Sequence, residues 1–299
     1  MTKLFSFINR PERAAYLFIL PAVLILLFFT VIPLVASVVI SLLQMDPFLQ
    51  NVKFIGADNF AALVEDERFW NALKNTIYFA AVEMPLQVVL ALLVAAFVSK
   101  NTLFRKLMRS IYFVPVVCSM AAISIVWSFL LDPQIGSYPY YLSLLGLPRL
   151  EFLRDPNLAM PSVILMTVWK NFGYSMVILI AGIQSIPDSY YEAAEIDGAS
   201  KTQQFFNVTI PMLIPAISFC VITNTIGSLQ VFDQIYVATQ GGPLFRTESI
   251  VAYIYSTGFS TAPYNLGYSS AIAVVLFVII IAVTLLMNNY FLRKETSDV

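Results

Sequence analysis

The sequence predicts an all-α protein that crosses a membrane six times, because it is unusually apolar and its apolar residues gather in long runs. Of its 299 residues 59% are hydrophobic and only 12% are charged, with a mean hydropathy of +0.79, whereas a soluble domain carries about 25% charge. A helix needs about 20 mainly apolar residues to cross a bilayer core of roughly 30 Å, and the runs are long enough. Residues 1–299 read as a single transmembrane domain.

The first run, 14–43, holds Pro21 and Pro33; it is too long for a secretory signal sequence and ends without a small-residue cleavage pattern. The next three runs, 72–98, 108–131 and 158–184, are each read as one helix. A polar loop, 185–211, separates them from the fifth, 212–238, and the sixth is 268–291. The charge-free stretch from Ser249 to Leu292 is too long for one crossing at ~1.5 Å per residue. Gly258, Pro263, Asn265 and Gly267 interrupt it, which puts residues 249–262 at or near the outer surface.

Short cytoplasmic loops retain Lys and Arg. With both termini in the cytoplasm, that side holds Lys3, Arg10, Arg13, Lys100, Arg105, Lys106, Arg109, Lys201, Arg293 and Lys294. Outer loops collect Asp46, Asp58, Glu65, Asp66, Glu67, Asp132, Glu151, Asp155 and Glu248.

The loop 185–211 carries its own folding signals. Ser185, Pro187 and Asp188 read as a helix start, and Ser200 with Gln203 has capping-box spacing. Gly198 lies between them, where a helix end needs a left-handed residue. The expected result is two short helices bent at Asp197 and Gly198, with Pro211 opening the next crossing. Tyr191, Ala194, Phe205, Phe206 and Val208 form an apolar side, and Glu192, Glu195 and Asp197 an acidic one. A helix lying on lipid usually presents Lys and Arg to the headgroups. Lys201 is the one base here, so the loop is read as a docking surface for a protein.

Several chemistries are excluded. The chain has no histidine, which removes histidine-dependent nucleophilic machinery and most metal sites. Cys118 and Cys220 fall within predicted crossings and read as small packing residues. Gly198, Ala199, Ser200, Lys201, Thr202 has Ser where a phosphate-binding loop needs Gly. No catalytic or metal residue is expected, the chain is not read as an enzyme, and ATP, if used, binds another chain.

Glu192, Ala193, Ala194, then Asp197, Gly198, Ala199, then Ile210, Pro211 resemble the EAA motif of the membrane subunits of binding-protein-dependent ABC importers. The family usually has Leu where this chain has Ile210. Asn75 and Thr76 with Pro85, Leu86 and Gln87, then Phe104 and Arg105 through Pro115 to Trp127, extend the resemblance. Phe232 to Tyr236, Gly241 to Pro243, Gly258, Phe259 and Gly267 to Ala271 resemble its carbohydrate-uptake branch, in particular the larger membrane component of maltose transporters, here in minimal six-span form.

That resemblance implies a type I permease fold and inward transport of a sugar or sugar-like solute. It implies that the loop is a coupling helix seated in an ATPase, with Glu192 pairing a base there. The implied partners are a cytoplasmic ABC ATPase dimer using ATP and Mg, a second permease subunit, an extracellular or periplasmic solute-binding protein, and membrane lipid. The chain itself binds no cofactor, nucleic acid is not among its partners, and its place is the cell membrane of a prokaryote.

Transporter sites lie near the bilayer midplane. Lys170, Asn171 and Tyr174 fall halfway along the fourth run, and Asn224, Thr225, Ser228 and Gln230 at similar depth in the fifth, with Asn224 and Ser228 on one helical face. The resemblance sets Tyr174, Asn224 and Ser228 opposite maltose-contacting positions. Their amides and hydroxyls suit a sugar, with Tyr174, Phe172 or Trp169 offering a ring face. Ordinary interhelical hydrogen bonding is the competing role, favoured for Thr225. Lys170 and Glu83 are each costly at this depth unless partnered, and a direct pair between them is one solution. Import of glycerol phosphate or another non-sugar solute, or a secondary carrier or channel, are the alternative readings.

Overall fold

In a computed structural model the chain is described over residues 11–48, 52–99 and 102–297. Of the cations assigned to the cytoplasmic side, Lys3, Arg10 and Lys100 lie outside the described residues, as do the side chains of Arg13 and Lys294. Among the described residues four helices are long and apolar enough to cross a membrane, or up to six segments if each of two bent pairs counts as one. The chain divides into two compact units, Met1–Glu65 with Ile254–Val275, and Asp66–Tyr253 with Leu276–Val299.

In the first unit, helix α1 (Pro11–Leu26) passes through a π turn, Leu27–Val31, into α2 (Ile32–Ile40). The widened turn sits just before Pro33, whose ring has no N–H to donate and would crowd the carbonyl four residues earlier. Its apolar side chains face outward, Phe18 being 85% and Phe29 79% exposed. A two-stranded hairpin, β1 (Leu43–Gln44) against β2 (Lys53–Phe54), and α3 (Asp58–Glu65) follow. Buried Asn59 ties them, donating to the carbonyls of Ser41 at 2.8 Å and Leu43 at 3.0 Å. Gly267 passes so close to the Leu43 carbonyl that a Cβ would overlap it.

The second unit is built on α4 (Glu67–Val98) and α8 (Ala159–Ser185). Asp66 caps α4 through the N–H groups of Arg68 and Phe69. At its other end Arg109 donates to the carbonyls of Val98 at 2.8 Å and Ser99 at 2.6 Å, which suits a cation at a helix C-terminus. Two apolar clusters form along the pair. Phe79 of α4 meets Met160 to Val168 of α8 in one, and Val88 to Val98 meets Phe172 to Ile180 in the other. The two helices therefore run parallel, with buried Ala72, Ala80, Ala91 and Ala95 admitting close approach.

Both stretches expected as unbroken helices at 108–131 and 212–238 are interrupted. α5 (Leu103–Val117) and α6 (Met120–Leu130) meet at 98°, the chain turning extended at Cys118 just after Pro115. Cys118 is thus exposed, contrary to its expected packing role, whereas Cys220 is buried. The fifth stretch bends by 67° at Leu213 and stops again at Gln230. Short α7 (Ser137–Leu144) precedes α8.

Residues 185–211 form α9 (Asp188–Ile196), α10 (Lys201–Gln204), a π turn at Phe205–Thr209 and α11 (Ile210–Met212). The second helix was expected to be short, with Pro211 beginning a new one; instead Lys201–Met212 is continuous, its π turn lying just before Pro211. Ser185 ends α8, its hydroxyl donating to the Gly182 carbonyl at 2.7 Å, and does not cap α9. Beyond Leu213 come α12 (Ile214–Leu229) and α13 (Asp233–Ala238). Residues 239–248 fold back on α4, where Arg68 grips Glu248 through Nε at 2.9 Å and Nη2 at 2.7 Å. The stretch 249–262, expected near a surface, begins as α14 (Ile250–Tyr255) with Ile250, Ala252 and Tyr253 buried. A π turn, Ser256–Ser260, and α15 (Leu266–Ser297) complete the order.

Candidate functional site

Between the two apolar clusters lies a cavity of about 470 Å³ lined by α4, α8, α12 and the breaks after α5 and α12. All six residues expected on a solute pathway, Lys170, Asn171, Tyr174, Asn224, Ser228 and Gln230, line it. They meet because α8 and α12 each turn a polar stripe toward the face of α4 that carries Glu83 and Gln87.

The polar groups are partly interlocked. The Asn224 amide donates to Ser175 Oγ at 3.0 Å. The Ser228 hydroxyl faces two acceptors, Glu83 Oε2 at 2.5 Å and the Asn224 carbonyl at 2.8 Å, with a single proton to offer them. Glu83 and Lys170 do not pair. Lys170 Nζ instead donates to the Val116 carbonyl at 3.3 Å. That carbonyl is freed because α5 stops at Val117, and the negative end of a helix dipole suits an ammonium. The break in α5 thus gives a lysine at this depth a partner.

Of the aromatic residues offered as a ring face, only Tyr174 lines the cavity. Phe172 is buried in the second cluster, and Trp169 packs edge-on against Trp127 at 5.6 Å. Thr225 is buried and donates back to the Val221 carbonyl, in keeping with packing. Phe232, Asp233, Thr223 and Gln87 line the cavity without having been singled out for it. Phe232 stacks on Tyr236 at 5.2 Å just where the helix breaks. For Gln87 the signal was present: it stands four residues after Glu83 in an apolar run, so the two share a face.

The other candidate surface is the loop. α9 ends in a Schellman motif, with Ala199 N–H bonding the Ala194 carbonyl at 2.9 Å and Gly198 N–H the Glu195 carbonyl at 3.1 Å. Gly198 takes φ +78°, which only glycine adopts without strain. The capping box forms, Ser200 N–H meeting Gln203 Oε1 at 2.8 Å. Tyr191 Oη lies 3.0 Å from Thr209 Oγ1, tying α9 to the π turn. Glu192, Ala193, Asp197, Gly198 and Pro211 are exposed, and Ala194, Ala199 and Ile210 are half-buried. Ile196 is 87% exposed at the end of the acidic face.

Residues 87–296 match the family model described as binding-protein-dependent transport system inner membrane component. The chain is 36% identical to the probable ABC transporter permease protein YurN of Bacillus subtilis (strain 168), covering 95% of this chain and 98% of that one. It is 35% identical to the lactose transport system permease protein LacF of Rhizobium radiobacter, covering 94% of each. Among solved structures, a bacterial ABC transporter involved in import of the acidic polysaccharide alginate has a chain that superposes with a TM-score of 0.82 at 26% identity, covering 97% of this chain and 99% of that one.

Proposed function

Since the chain belongs to the family of binding-protein-dependent transport system inner membrane components, we propose that it forms half of the pathway through which an ATP-driven importer moves a sugar or sugar-like solute inward. The observation that carries this reading is the polar cavity set between two apolar clusters, an arrangement suited to a hydroxylated solute that must leave water and return to it. The chain is the membrane subunit and not the ATPase.

In this reading the bent pairs each count as one span, giving six crossings of the inner membrane with both termini cytoplasmic. The loop 185–211 is then the cytoplasmic coupling element. The exposed acidic face of α9, ending in the fixed turn at Gly198, supports its docking into a partner ATPase dimer that binds ATP and Mg. A second permease subunit completes the pathway, and a solute-binding protein delivers from the other side. Closure of the ATPase around ATP moves the loop, the spans open toward the binding protein, and solute enters the cavity; hydrolysis returns the pathway to face inward. Lys170 in the cavity wall is the feature that favours the second reading, import of glycerol phosphate.

Reconstitution tests the proposal. Proteoliposomes holding this chain with its second permease and ATPase should accumulate radiolabelled lactose, or another neutral sugar, only when ATP and the binding protein are both supplied. Accumulation driven by an ion gradient without ATP would instead mark a secondary carrier.

A further inference from the structure

Gln87 is 3% exposed, and its Oε1 is, among the described residues, the one buried side-chain polar atom without a hydrogen-bond partner. A buried acceptor left unmade is costly, about 1–3 kcal/mol, and such groups are uncommon in native folds. Gln87 is one of the residues that line the cavity. The nearby groups do not relieve it. The Asn224 amide donates to Ser175, Lys170 to the Val116 carbonyl, and the single Ser228 proton faces Glu83 and the Asn224 carbonyl; none of them bonds Gln87 Oε1. Glu83, one helical turn away on the same face, brings a carboxyl to the same wall, with Oε2 receiving the Ser228 hydroxyl, and Asp233 of α13 lines the cavity as well. The α4 side of the cavity therefore presents one acceptor, Gln87 Oε1, in want of a donor.

We infer that Gln87 is a solute-contacting residue whose Oε1 accepts a hydrogen bond from a solute hydroxyl, so that the α4 wall, with Glu83, reads the polyhydroxyl part of the solute. This rests on the cavity being the solute pathway. The chemistry sets the class of ligand: a sugar hydroxyl donates, whereas an ionised phosphate offers only acceptor oxygens and would meet Glu83 on this wall and Asp233 of α13 elsewhere in the lining. A phosphorylated solute would have to present its hydroxyl end here.

The test uses the complete complex with its binding protein in proteoliposomes, with radiolabelled lactose, trehalose and glycerol 3-phosphate as probes and uptake normalised to assembled complex. Gln87→Met keeps the length and volume of the side chain and removes the acceptor; Gln87→Glu keeps acceptor oxygens. The expected result is about a tenfold loss of uptake in Gln87→Met, the scale of one lost hydrogen bond, with Gln87→Glu retaining more than Gln87→Met. Uptake by Gln87→Met equal to wild type would overturn the assignment of Gln87 while leaving the transport reading intact. Accumulation of none of the probes by the wild-type complex would overturn the transport reading itself. Should Gln87→Met fail to assemble, Gln87→Leu provides the same comparison.

Discussion

A lysine half-way along an apolar helix is costly to keep unless something receives its charge. Lys170 finds the carbonyl that α5 releases at Val116, and this bond, rather than a salt bridge to Glu83, accounts for its place in the wall. Lys170→Met should therefore lower the stability of the purified complex, by about 1.5–3 kcal/mol for a hydrogen bond to a charged group. An unchanged melting midpoint with lost uptake would show that the ammonium serves the solute instead. Glu248 offers a second case. It is 3% exposed and clasped by two nitrogens of Arg68, whose guanidinium also lies 4.4 Å from the centre of the Phe245 ring. Arg68→Met strands that carboxylate and should destabilise the complex more than Lys170→Met does, since an unpaired buried charge costs more than a lost neutral partner. Equal melting of the Arg68→Met and wild-type complexes would contradict the pairing as a source of stability.

At the scale of elements, the loop 185–211 shows how local signals act. Gly198 holds a left-handed turn between α9 and α10, and a β-branched residue there is strained whatever space surrounds it. Gly198→Val should leave the chain in the membrane yet weaken ATPase stimulation by the binding protein. Glu192→Lys, which reverses a charge on the exposed face, should uncouple the complex in the same assay. Wild-type stimulation in both would remove the loop from the coupling path. Much of this element was legible in the sequence because caps act over three or four residues: Gly198, Ser200 and Gln203 declare themselves without tertiary context. The continuity of Lys201–Met212 was not, since a π turn absorbs the proline effect that would otherwise start a new helix. The breaks at Cys118 and Gln230 were also hidden, because Pro115 sits in an apolar run that helices often tolerate when neighbours pack against them. Gly173 shows such packing: a Cβ there would overlap the Tyr112 carbonyl of α5.

Across the whole molecule, apolar runs announce the long helices, while the cavity depends on helix phase and on where helices stop. Polar residues at mid-depth pointed to Lys170, Asn171, Tyr174, Asn224, Ser228 and Gln230, and the structure brings all of them to one cavity. The same reasoning did not separate Tyr174 from Phe172, since two residues along a helix is about 200° of rotation and only packing sets which faces the cavity. Nor did it promote Gln87, a polar residue whose meaning appears once its acceptor is seen without a partner. The central claim is that this cavity is where the solute crosses, and uptake by Tyr174→Ala and Asn224→Ala complexes in binding-protein-supplied proteoliposomes tests it most directly. The account predicts about a tenfold or greater loss of uptake in each variant, the scale of one or more lost hydrogen bonds, while each still co-purifies with the ATPase. Wild-type rate and affinity in both would contradict it.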